Sequence, residues 1–150
     1  MNTDTLLADI KADEGWLPYG YDDHDSMPVK CKGWLTIGYG FLIDSRKGVG
    51  LPRPVAEFWL RYAVNERVEE LERRWPAFKY QHEDVQRALG NMIYQMGVAG
   101  VMKFEDMLTA LERGERSQAA SEALQSIWAT QTPKRARRVA SLLRGTVGAT

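Results

Sequence analysis

Apolar residues near the start of the chain, Leu6, Leu7 and Ile10, fall at helical spacing, with Thr3 or Asp4 placed to cap the first turn. That helix is expected to stop near Glu14-Gly15, because Gly15 suits a helix C-terminus and Pro18 cannot continue one. From Tyr19 to Ile43 the pattern changes to Tyr, Trp, Gly and Asp, with period-two alternation through Trp34-Leu35-Thr36-Ile37-Gly38-Tyr39. This predicts a small antiparallel sheet, with a turn or longer loop at Asp22–Pro28. Ser45 to Pro54 is a Gly/Pro-rich link. A long helix is then predicted over 55–75, with Val55, Phe58, Trp59, Tyr62, Val64, Val68, Leu71 and Trp75 apolar and Glu and Arg covering the other side. Further helices are predicted near 83–97, 104–113, 116–129 and 133–143, broken at Gly97, Gly100, Gly114 and Pro133. Trp59, Trp75, Met92, Met96, Phe104 and Trp128 are the expected core. The expected class is α+β, with a small mixed N-terminal part and a helical C-terminal part.

Composition narrows the class of function more than that of fold. The 150 residues suffice for one compact domain, and 44% apolar with 27% charged residues excludes disorder as the default. The formal net charge is zero, so no global field draws the chain to nucleic acid or to a membrane. Charge is unevenly placed, with Asp4, Asp9, Asp13, Glu14, Asp22, Asp23 and Asp25 near the start and Lys134, Arg135, Arg137, Arg138 and Arg144 near the end. The basic run reads as a solvated helix face rather than a nucleic-acid site. Cys31 is the only cysteine, so no intramolecular disulfide forms. The N-terminus lacks a basic, apolar leader, and no apolar run reaches membrane-spanning length, so a soluble protein made in a cytoplasm is expected.

The candidate chemistry lies early in the chain. Glu14 ends an amphipathic helix, Asp23 sits on a turn-rich segment, and Thr36 leads a glycine-punctuated strand. Two carboxylates with unlike surroundings suit the hydrolysis of a glycosidic bond. The cluster Asp22-Asp23-His24-Asp25 fits neither an EF-hand loop nor a zinc motif, so no metal is expected.

Five blocks carry a resemblance: Asp13-Glu14-Gly15, Tyr21-x-Asp23, Leu35-Thr36-Ile37-Gly38-Tyr39-Gly40, Asn91-Met92-Ile93-Tyr94-Gln95-Met96-Gly97, and Trp128-x-x-Gln131-Thr132-Pro133-x-Arg135-Ala136-x-Arg138-Val139. With these, the chain resembles the phage-type lysozymes, the muramidases of glycoside hydrolase family 24. The resemblance implies a single lysozyme-like domain with a two-lobed fold. A small β-sheet lobe at about 14–54 is joined by a long helix at about 55–75 to a helical lobe at about 76–150 that packs with the first helix. It implies cleavage of the β-1,4 bond between N-acetylmuramic acid and N-acetylglucosamine in peptidoglycan, without a cofactor. Glu14 matches the general acid, which must be protonated to work, as apolar surroundings favour. Asp23 matches the carboxylate that steers a water, and Thr36 the hydroxyl that holds it. An inverting route needs a carboxylate gap of ~6.5–9.5 Å.

Arg135 matches an arginine that pairs with the acid. Leu42, Tyr94 and Gln95 match residues of the sugar cleft. Met107 and Glu122 stand where the family's type member has small polar contacts, and differ from them in chemistry. The segment between Asp23 and Thr36 is longer than in that member, which keeps Asp22 and Asp25 as rivals to Asp23. Phe41 stands where a histidine is common. The implied role is that of a monomeric endolysin. It would be held in the host cytoplasm until a separate pore-forming protein releases it to the wall, where it causes lysis. The alternatives are a wall-binding module without turnover and a lysozyme domain of a tail or baseplate machine.

Overall fold

The structure is a computed structural model that describes residues 2–15, 17–22, 35–38, 41–44 and 53–145. Asp23, its rival Asp25, the segment 24–32 with Cys31, and most of the Gly/Pro-rich link lie outside those residues. The chain divides into two compact units, Leu7–Ala63 and a second one of Met1–Leu6 with Val64–Thr150.

In the first unit, helix α1 (Thr3–Glu14) enters after its opening turn. It is followed by strands β1 (Leu17–Asp22), β2 (Leu35–Gly38) and β3 (Phe41–Asp44). They form one antiparallel sheet in the order β1-β2-β3. Thr36 on the central strand faces Tyr21 on one side and Leu42 on the other, and register irregularities interrupt both pairings. The alternation read at 34–39 thus corresponds to β2.

Helix α2 (Arg53–Arg74) begins in this unit and continues into the second. It buries Ala56, Leu60, Val64 and Leu71, each four or seven residues from the last. That stripe is rotated from the aromatic one. Val55, Phe58, Trp59 and Tyr62 are exposed, so the expectation that Trp59 belongs to the core is corrected. Small and aliphatic residues, rather than the rings, take the inner face.

The second unit is built of helices. A 3-10 helix (Pro76–Tyr80) follows α2, and then come α3 (Glu83–Val101), α4 (Glu105–Glu112), α5 (Arg116–Leu124), α6 (Ile127–Gln131) and α7 (Pro133–Arg144). α7 packs on α5, α3 and α6, and buries Ala136, Val139, Ala140, Leu142 and Leu143. Its last carbonyls are satisfied from outside the helix: Arg116 donates from Nε to Leu143 O at 2.7 Å and from Nη2 to Leu142 O at 2.9 Å. The stretch 116–129, read as one helix, is two. Ser126 breaks it, because its Oγ donates to Ala123 O at 2.7 Å and accepts from Ala129 N at 3.2 Å, capping α6.

The α+β class with a β-sheet lobe is corrected by this architecture. Apart from the fourteen residues of the three short strands, every described element is a helix. The strands of β1, β2 and β3 have six, four and four residues. The physical reason lies in the periodicity. Period-two alternation is confined to a few residues, whereas spacing of three and four runs through the rest and fills the core from helix faces. The described structure is predominantly helical.

α3 kinks at Gly97, whose φ of 73° and ψ of 165° only glycine adopts without strain. A Cβ there meets nothing within 4 Å, so its cost is confined to the backbone. Gly97→Ala is therefore expected to lower the unfolding free energy by about 1–3 kcal/mol. Urea titration checks this, and an unchanged midpoint would show that the kink relaxes freely.

Candidate active site

Glu14 is the last residue of α1. Gly15 N donates to Lys11 O at 3.0 Å, and Gly15 turns the chain out of the helix at φ 72°. Glu14 is half-buried. Lys11 Nζ pairs with Glu57 Oε1 at 3.0 Å, which ties α1 to the start of α2. Both side chains are about a third exposed or more, so the pair is worth no more than ~1 kcal/mol and serves mainly to fix orientation. In the same unit, register places Thr36 directly opposite Leu42, so the expected water-holding hydroxyl and the expected strand-side sugar contact share adjacent strands. Asp23 follows the last residue of β1 and lies outside the described residues.

In the second unit, Tyr94 and Gln95 sit side by side on α3, before the kink at Gly97. The Arg67 guanidinium lies 5.7 Å from the centre of the Tyr94 ring, a cation–π distance. Gln95 Oε1 accepts a hydrogen bond from Trp128 Nε1 at 2.8 Å. Trp128 meets Phe104 edge to face, at 6.2 Å between centroids and 84° between planes. The exposed Gln95 amide is therefore held by a buried indole, which fixes one end of it and leaves its NH2 group to donate.

Met107 and Glu122 line one cavity of about 260 Å3, together with Lys103, Phe104, Glu105, Asp106 and Ser126. Met107 is 0% exposed. Glu122 is half-buried and accepts from Gln118 Nε2. Arg135, also half-buried, stands in the first turn of α7, which Pro133 opens. Among the described residues, no group of three or more His, Cys, Asp or Glu is placed to hold a metal ion. No described helix is long and apolar enough to cross a membrane.

The structure thus groups the expected residues in sets: Thr36 with Leu42, Tyr94 with Gln95, and Met107 with Glu122. Trp128, a core aromatic, has a second role in holding Gln95 that its place in the sequence does not announce. An indole carries one N–H that needs an acceptor when buried, but the sequence does not say which of several amides provides it. The place of Arg67 over Tyr94 leaves no signal in a pattern of charged helix residues.

No family model matches the chain. Curated relatives match parts of it. "Probable T4-type lysozyme 2" of Dictyostelium discoideum is 47% identical over 55 residues, which are 37% of this chain and 32% of that protein. "Probable T4-type lysozyme 1" of the same organism is 41% identical over 63 residues, 41% of this chain and 37% of that protein. The "Pre-baseplate central spike protein Gp5" of Enterobacteria phage T4 is 41% identical over 68 residues, 45% of this chain and 12% of that protein. The chain spans about a third of the Dictyostelium relatives and less of the spike protein. Over these stretches, and not over its whole length, it is related to the phage-type lysozymes.

Proposed function

We propose that the chain is a lysozyme, a glycosidase that hydrolyses the β-1,4 bond between N-acetylmuramic acid and N-acetylglucosamine in bacterial peptidoglycan. One observation carries the reading: identities of 41–47% to two proteins named as T4-type lysozymes. The motif residues supply the chemistry. Glu14 donates its proton to the glycosidic oxygen as the C–O bond breaks, and the leaving sugar departs as an alcohol. Asp23 directs a water to the anomeric carbon from the opposite face, and Thr36 holds that water. The water's proton passes to Asp23 as the new C–O bond forms, and the anomeric configuration inverts. The resemblance assigns Arg135 to balance the charge of Glu14 between turnovers. The resemblance assigns Leu42, Tyr94, Gln95, Met107 and Glu122 to contact with the sugars.

In a phage infection such a monomer would wait in the host cytoplasm for a separate pore-forming protein, and then lyse the wall. The likeness to a central spike protein favours a second reading, in which the same hydrolysis is delivered by a phage particle.

Purified protein incubated with Gram-negative sacculi is expected to release reducing ends, and NMR of the first product should show the inverted anomer. Binding to sacculi without release of reducing sugar would identify a wall-binding module instead.

A further inference from the structure

The turn that leaves α2 builds a second concave site. Pro76 has no N–H and cannot extend α2, so the chain turns back as the 3-10 helix. This brings Lys79 Nζ to 3.5 Å from Glu72 Oε2 on the last turns of α2. Between the two elements lies a cavity of about 470 Å3, lined by Glu69, Glu72, Arg73, Pro76, Lys79 and Tyr80. Ligand sites commonly measure roughly 300–1,000 Å3.

Its chemistry is selective. Tyr80 is 88% exposed, which leaves an aromatic face open to water. The ring stands on a rigid base: Phe78 of the same short helix is buried, and the Gln86 amide donates to the carbonyls of Phe78 and Lys79 at 3.0 and 3.2 Å. The four charged side chains of the lining, two carboxylates and two cations, cancel. A polyanion or a polycation therefore gains little there. A neutral polyhydroxylated ligand gains from both, since carboxylates accept from its hydroxyls and Arg and Lys donate to its oxygens. Its apolar ring faces can pack on Tyr80 and Pro76.

We infer that this cavity is a secondary binding site for a neutral N-acetylhexosamine glycan strand, using none of the residues assigned to hydrolysis. The reading above supplies only the source of the strand, because the binding chemistry needs no turnover.

The test uses the full chain with Glu14→Gln, so that the ligand stays intact, and tetra-N-acetylchitotetraose as the probe. In a 1H–15N NMR titration the amides of 69–80 are expected to shift and saturate. Tyr80→Ala should weaken that site by about 3–10-fold, while Tyr80→Phe keeps it. Raising the salt from low to physiological concentration should leave the affinity unchanged. Silence at 69–80, an unaltered Kd in Tyr80→Ala, or a tenfold loss with salt overturns the inference. The two proposals fail separately. Saturable shifts at 69–80 with a wild-type chain that hydrolyses no peptidoglycan would defeat only the lysozyme reading. Hydrolysis with no shift at 69–80 would defeat only this one.

Discussion

Glu14→Gln is expected to reduce peptidoglycan hydrolysis by about 10²–10⁴-fold, the usual share of a positioned general acid, and to leave clearing of permeabilised Gram-negative cells undetectable. Glutamine keeps the size and the hydrogen-bonding reach of the side chain but carries no transferable proton. The loss should therefore fall on kcat, with KM for the glycan little changed. Stability gives the second readout. Glu14 is the last residue of α1, where the partial negative charge of the helix terminus disfavours a carboxylate by about 0.3–1 kcal/mol. A residue kept for structure alone would cost stability when neutralised. Here relief from the helix terminus and loss of the ion pairing of Glu14 oppose each other, so the midpoint of thermal unfolding is expected to move little while activity disappears. Equal clearing by both proteins would remove Glu14 from the chemistry.

The elements most legible in the sequence were those decided locally. Gly15 and Pro18 end α1, Pro133 opens α7, and Gly114 separates α4 from α5, each through backbone geometry that one or two residues dictate. What misled was the choice among competing apolar stripes. On α2, Phe58 and Tyr62 are larger than Ala56 and Leu60, yet the smaller residues are inside, because burial follows which face meets a neighbour rather than which face is more apolar. The strands persuaded too much about class: alternation at 34–39 marks β2 but says nothing of how much of the chain is helix. For the site, the motifs named Tyr94 and Gln95 but not their supports. Arg67 is 27 residues from Tyr94 and Trp128 is 33 from Gln95, and such pairings exist only after folding.

Phe78→Ala is expected to cost about 3–5 kcal/mol of unfolding free energy, the largest stability effect foreseen for a single side chain here. Phe78 is 1% exposed and lies in the core with Leu71, Trp75, Val85 and Leu89. Its neighbours are held by polar ties that resist collapse into the vacated space. Trp75 Nε1 donates to Glu112 Oε1 at 2.6 Å, Phe78 N donates to Trp75 O at 3.0 Å, and Gln86 holds the carbonyls that follow. A site that cannot relax pays the cavity term in full. Against a typical total of ~5–15 kcal/mol this is a large fraction, so urea unfolding should show a much lower midpoint with an unchanged slope. Tyr80→Ala, two residues on and facing water, should move the midpoint by no more than about 0.5 kcal/mol. The contrast between the two aromatics is the decisive measurement: comparable losses would mean that the 3-10 helix is not anchored through Phe78, and the rigid base under Tyr80 would go with it.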